Sequence, residues 1–139
     1  TIPSASHKIV YFNFYCHMSN IFIAGGSTYD TIVYLDALPD GQPATHHKVP
    51  FQEAVGSTGV GKALPLTYLG HNAVLYTAFG NDLYGGHIAE YLHTKGIPFI
   101  KTIDPAGTER HINLMDKQGQ RISMFITQSS ATLEHPLEQ

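Results

Sequence analysis

Residues 54–86, AVGSTGVGKALPLTYLGHNAVLYTAFGNDLYGG, decide the fold. Glycines crowd at Gly56, Gly59 and Gly61, and a helix-like segment follows, which Gly70 stops. An apolar run, Ala73 to Phe79, then reads as a buried strand and ends in Gly80-Asn81-Asp82. Turn, helix, turn, strand, turn is the rhythm of an open α/β sheet. In such sheets a glycine turn that opens a helix lets backbone N–H groups approach a polar ligand, because no Cβ intervenes. The site is therefore sought here.

Outward from this stretch the alternation continues. Lys62 to Leu69 is expected to be helical, with Leu64, Leu66 and Leu69 apolar and with Pro65 close to its N-terminus, so that the helix begins near Gly61. Tyr84 to Thr94 carries Ile88, Ala89 and Leu92 at helical spacing and closes at Lys95-Gly96, and Ile97 to Ile100 starts another extended segment. The order predicts a βαβαβ architecture. Upstream, Ile21 to Ala24 and Thr31 to Leu35 are strand-like runs on either side of Gly25-Gly26, and Leu38-Pro39-Asp40-Gly41 is a turn. His46 to Glu53 contains Pro50 and reads as a peripheral edge strand. Adjacent His46 and His47 point to opposite faces of such a strand, so no metal site is expected there. Downstream, Thr108 to Met115 and Arg121 to Ile126 flank a glycine-containing connection and predict a hairpin.

Length and composition exclude several classes. The 139 residues suffice for one domain with a real core, and the 42% hydrophobic share argues against disorder. A net charge of -3 without a Lys/Arg cluster gives no footprint for nucleic acid. No apolar run is long enough to span a membrane; the aromatic stretch Ile9 to Tyr15 is short and broken by Asn13. Residues 1–17 are expected to be an upstream extension, with an ordinary edge strand as the alternative, and 18–139 the domain. The single cysteine, Cys16, cannot form an internal disulfide, which favours a reducing, cytoplasmic setting.

The glycine stretch admits a phosphate-loop reading, because Gly56-Ser57-Thr58-Gly59-Val60-Gly61-Lys62 fits G-x-x-x-x-G-K. The next position must supply a hydroxyl for Mg²⁺, and it is Ala63. The pattern therefore fails at a chemically required atom.

A second reading comes from resemblance. Gly25-Gly26-Ser27-Thr28-Tyr29-Asp30, Leu38-Pro39-Asp40-Gly41, the Gly56 to Ala63 block, Leu69-Gly70 and Gly80-Asn81-Asp82-Leu83-Tyr84-Gly85 stand in the order found in the N-terminal half of ribokinase-like (pfkB-type) carbohydrate kinases. The chain resembles that family over residues 20–126. The resemblance implies a three-layer α/β/α sheet with a small β lid, an ATP-dependent kinase acting on a sugar or nucleoside, and Mg²⁺ with the ATP. It implies that Asp30 binds sugar hydroxyls and that Gly56, Ser57, Thr58, Gly59 and Gly61 line the pocket, with Thr28 and Arg110 as further candidates. A carboxylate can accept hydrogen bonds from two hydroxyls, and glycines permit close backbone contact. Asp82 is expected to cap the helix after it.

Departures from the family pattern bear on substrate. Gly61 replaces an asparagine that usually touches the sugar, and Thr58 replaces a common lysine. The family's Gly-Ala-Gly-Asp segment, which supplies the anion hole and the base, does not occur, so no catalytic residue is assigned and these residues alone are expected to be inactive as a kinase. A non-catalytic sugar-binding or interaction module is the alternative of another class, and a P-loop nucleotide binder a further one. The edge strands of the lid suggest pairing between two subunits.

Overall fold

The computed structural model describes residues 20–131. The proposed extension 1–17 and the C-terminal residues 132–139 lie outside them. Seven strands and two helices run in the order β1 (Asn20–Ala24), β2 (Thr28–Tyr34), β3 (Phe51–Gly56), α1 (Ser57–Tyr68), β4 (Asn72–Phe79), α2 (Leu83–Thr94), β5 (Phe99–Ile103), β6 (Arg110–Met115) and β7 (Arg121–Thr127). They form two sheets: a parallel β1-β4-β5 sheet and a four-stranded β3-β2-β6-β7 sheet. The second sheet is the lid.

The parallel sheet is held by apolar alternation. Ile23, Ala73, Leu75 and Phe79 point to one face, where Val60 and Ala63 of α1 and Ile88 and Leu92 of α2 close over them with Ile97. Phe79, Leu75, Ile88 and Leu92 are wholly excluded from water. Burying side chains of this size stabilises by about 1.5–3 kcal/mol each. The opposite face carries Phe22 with its ring tilted against that of Tyr76, centroids 5.9 Å apart, and Phe22 and Ile100 are exposed. No helix among the described residues is long and apolar enough to cross a membrane.

Helix α1 departs from the expectation. It begins at Ser57, directly after β3, so Gly59 and Gly61 are helical and Pro65 is interior. Its packing face is Gly59, Val60 and Ala63, while Leu69 is exposed. Leucine spacing misled because Leu64 and Leu66 only flank the core, whereas small residues let the helix lie close to β4. Pro65 is tolerated because it stands on the exposed side. The edge element is also shorter than expected: β3 starts at Phe51 and pairs only with β2, leaving exposed His46 and His47 in the preceding loop.

Two carboxylates fasten the joints. Asp82 caps α2 by accepting from Gly85 N–H at 2.9 Å and also accepts from the Thr108 hydroxyl and N–H at 2.7 and 2.8 Å. Thr108 in turn accepts from Gly80 N–H, so the turn before α2 and the start of the lid are tied together. Desolvation pushes the Asp82 carboxyl up, but these donated hydrogen bonds outweigh it and hold it below the ordinary value. Asp82→Ala is expected to cost about 1–3 kcal/mol of stability, measured by denaturant unfolding.

Asp104 is the second. It is buried and accepts from the Ser129 and Ser130 hydroxyls and from the N–H groups of Ala106, Ser130 and Ala131. Burial works to raise its carboxyl, but these donors hold it far below the usual range. A depressed carboxyl contributes stability above the unfolded value of about 3.9, and that stability is lost as pH falls through the folded value. Unfolding midpoints should therefore drop below about pH 4, and Asp104→Asn should flatten that dependence.

Candidate functional site

The site forms where β1 leaves the parallel sheet for the lid. Only Gly25, Gly26 and Ser27 join β1 to β2. Gly25 N–H donates to the Tyr76 carbonyl at 3.0 Å, and the buried Ser27 hydroxyl pairs with that of Thr77 at 2.9 Å. The crossing thus sits at the carboxyl ends of parallel strands, where open α/β sheets bind ligands. It is fixed by packing as well. A Cβ at Gly59 would stand 2.5 Å from the Gly26 carbonyl oxygen and 2.7 Å from the Gly25 carbonyl carbon, so α1 meets this segment backbone to backbone.

Strand register brings the polar groups together. Asp30 lies within β2, and Ala54, Asp30, His111 and Phe125 are successive cross-strand partners on β3, β2, β6 and β7. Partners share a face, so these side chains form one row across the lid. A Cβ at Gly56 would approach Asp30 Oδ2 to 2.5 Å and the Thr28 hydroxyl to 3.3 Å, so with any larger residue there the carboxylate would have to move from this position. Asp30 Oδ1 stands 3.3 Å from His111 Nδ1, but it is buried without an aligned hydrogen-bond donor, as is the Thr28 hydroxyl. Two buried oxygens lacking donors, beside bare backbone, are an arrangement that ligand hydroxyls can satisfy.

Ser57 adds strain. Its φ of 79° is in the left-handed region, uncommon for a residue with a Cβ, and a Cβ at Gly26 would lie 2.8 Å from its hydroxyl. Thr58 and Gly61 are exposed on α1, and a Cβ at Gly61 would meet nothing within 4 Å. Of the residues read from the sequence, Thr28, Asp30, Gly56, Ser57 and Gly59 converge on this crossing; Thr58 and Gly61 lie further out along α1.

Arg110 does not join them. It pairs with Tyr29, which places both on the opposite face of the lid from Asp30. There its guanidinium lies 3.8 Å from the Tyr84 ring centroid. Its Nε is a buried donor without a hydrogen-bond partner. Tyr29 also stacks on His87 and donates to Glu53 at 3.0 Å. Burial first, and then that hydrogen bond, push its phenol up.

Sequence reasoning missed His111, Glu109 and Phe125. His111 Nε2 stands 2.9 Å from Glu109 Oε1, and its ring is 4.1 Å from that of Phe125. The signal lies in the β2–β6 register, which pairs residues far apart in the chain.

A crevice of about 680 Å³ lies elsewhere, between the end of β2 and the loop through His46, His47 and Lys48. It is a cleft beside a surface loop, and none of the buried polar atoms lacking partners lines it. Chemistry favours the Asp30 crossing.

The phosphate-loop pattern has no matching geometry. Strand β3 runs straight into α1, so Gly56 to Lys62 form no loop around an anion, and Ala63 is buried in the core. These residues do not fit a nucleotide phosphate.

A parallel sheet with a strand crossing into a β lid is the ribokinase-like fold, and in sequence and fold the chain resembles an N-terminal portion of those carbohydrate kinases. Among its relatives is the acarbose 7(IV)-phosphotransferase of Actinoplanes sp., 29% identical over 107 residues, 77% of this chain and 36% of that protein. A microbiome-derived acarbose kinase superposes with a TM-score of 0.64 at 32% identity, covering 78% of this chain and 36% of its own. The ribokinase of Giardia lamblia shares the fold, with a TM-score of 0.65 at 20% identity over 78% of this chain and 33% of its own. The chain thus spans about a third of the length of these relatives. No protein-family model matches it.

Proposed function

We propose that residues 18–139 are the sugar-binding portion of a pfkB-type carbohydrate kinase. The whole enzyme would transfer the γ-phosphoryl group of Mg-ATP to a hydroxyl of a sugar or nucleoside in the cytoplasm. The observation that carries this reading is the convergence of Asp30 and Thr28, each with a buried oxygen lacking a donor, on the bare backbone of Gly56. Asp30 would accept from sugar hydroxyls, with Gly56, Ser57 and Gly59 as the floor and Thr58 and Gly61 as the outer rim. The similarity to two acarbose-phosphorylating proteins makes an oligosaccharide the first substrate to try. No residue of this chain is assigned to the nucleotide or to the proton transfer.

Calorimetric titration of the chain with acarbose, ribose and ATP tests this. Binding of a sugar without ATP turnover is expected. Tight ATP binding lost in Lys62→Ala would instead restore the phosphate-loop reading. The exposed Phe51 and Ile122 at the lid's edges share one cross-strand row with the half-buried Val33 and Leu114, a surface suited to pairing with a second copy. Light scattering that finds only monomer at high concentration removes the pairing.

A further inference from the structure

The row across the lid carries more negative charge than hydroxyl recognition requires. Asp30 stands on one side of the His111 ring and Glu109 on the other, at 3.3 and 2.9 Å. Two carboxylates against one imidazole leave the row negative whether or not His111 is protonated. Several fixed cations are engaged elsewhere. Arg110 lies over Tyr84 on the other face, Lys101 over Phe79, and Lys117 is paired with Asp36 at 2.7 Å. Lys62 stands exposed on α1, one turn beyond Thr58.

His111 has two further constraints. Its ring is held against Phe125, and its Nδ1 is the ring nitrogen facing the donor-poor oxygen of Asp30. Glu109 grips the other nitrogen and so sets which edge of the ring turns to Asp30. His111 is therefore placed to orient the carboxylate that meets the sugar and, when protonated, to offset part of its charge.

We propose that Asp30, His111 and Glu109 form a charge filter in the sugar site, which takes an uncharged sugar, favours one bearing a protonated amine, and refuses a phosphorylated or acidic one. His111 acts in it as a positioning residue, through Asp30. The filter rests on the sugar-site reading above. At a few ångströms from the carboxylates, a like charge on the ligand is expected to lower affinity at least about tenfold, and an opposite charge to raise it similarly.

The test is calorimetry on the full chain with glucose, glucosamine and glucose 6-phosphate, which differ mainly in charge. In the unmodified chain, glucosamine should bind about tenfold tighter than glucose, and glucose 6-phosphate at least about tenfold weaker. Glu109→Gln should narrow these gaps. His111→Ala should weaken glucose binding and widen the preference for glucosamine. His111→Asn, which keeps a donor near the Nδ1 position, should restore glucose binding but not the narrower gap. A side chain that served only the fold would not move the ratios, and thermal melts of each variant report folding separately. Equal affinities for the three sugars, or tighter binding of the phosphate, overturn the filter. The sugar-site reading stands in that case if Asp30→Ala abolishes glucose binding. Unchanged glucose affinity in Asp30→Ala, or no binding of acarbose or of any of the three by the unmodified chain, overturns the sugar site and the filter together.

Discussion

Asp30→Ala is expected to lower sugar affinity by more than about a hundredfold while leaving the melting temperature unchanged or slightly raised. The loss follows from removing a charged acceptor of ligand hydrogen bonds, worth about 1.5–3 kcal/mol for each bond, with tenfold in affinity for every 1.4 kcal/mol. The effect on stability has the opposite logic. Asp30 Oδ1 is buried without an aligned donor, and Oδ2 stands where a Cβ at Gly56 would come within 2.5 Å of it. Removing the carboxylate relieves a desolvated group that the unliganded fold does not satisfy. A residue kept for binding at the expense of stability has this signature. Calorimetry with acarbose, alongside a thermal melt, separates the two effects; a large drop in melting temperature with unchanged affinity would make Asp30 a structural residue.

The second large effect is at Gly59. Gly59→Ala places a methyl group 2.5 Å from the Gly26 carbonyl oxygen and 2.7 Å from the Gly25 carbonyl carbon. Both are backbone and cannot rotate away. Helix propensity favours alanine by about 1 kcal/mol, but overpacking of this kind costs about 3 kcal/mol, so the clash wins. Destabilisation by about 2 kcal/mol is expected, with displacement of the crossing that carries the site. Gly61→Ala is the internal contrast. The added methyl meets open space, so the propensity term acts alone and stabilises by up to about 1 kcal/mol. Denaturant unfolding of the two variants should give opposite signs, and equal signs would contradict the backbone contact described for α1.

These two glycines show what the sequence could and could not disclose. Gly59 and Gly61 look alike in a glycine-dense run, and the run marks a place of close approach without saying which glycine makes it. Strand β4, helix α2 and the β6–β7 hairpin were legible because their apolar spacing and turn residues agree with one another. The Asp82 cap was legible for the same reason. The start of α1 was not, because Pro65 and the glycines argue locally for a later beginning while Val60 and Ala63 are recruited by the core from outside the segment. The site was half legible. Asp30 and Gly56 stand in recognisable blocks, but His111 reaches Asp30 only through the pairing of β2 with β6, and Arg110 is turned away by the same register. Alternation within one strand fixes two faces; it does not say which face meets which neighbour.

That pairing also governs how the chain reaches its native state. Strands β2 and β6 are parallel neighbours, yet β3, α1, β4, α2 and β5 all intervene between them. The lid cannot zip up from a local hairpin alone, since its central seam needs the ends of a long loop brought together first. Refolding should accordingly be slow, with the α/β layer assembling ahead of the seam. Until the seam closes, β2 and β6 are bare edges open to the wrong partner, and at high concentration that interval is when this chain is most exposed to aggregation.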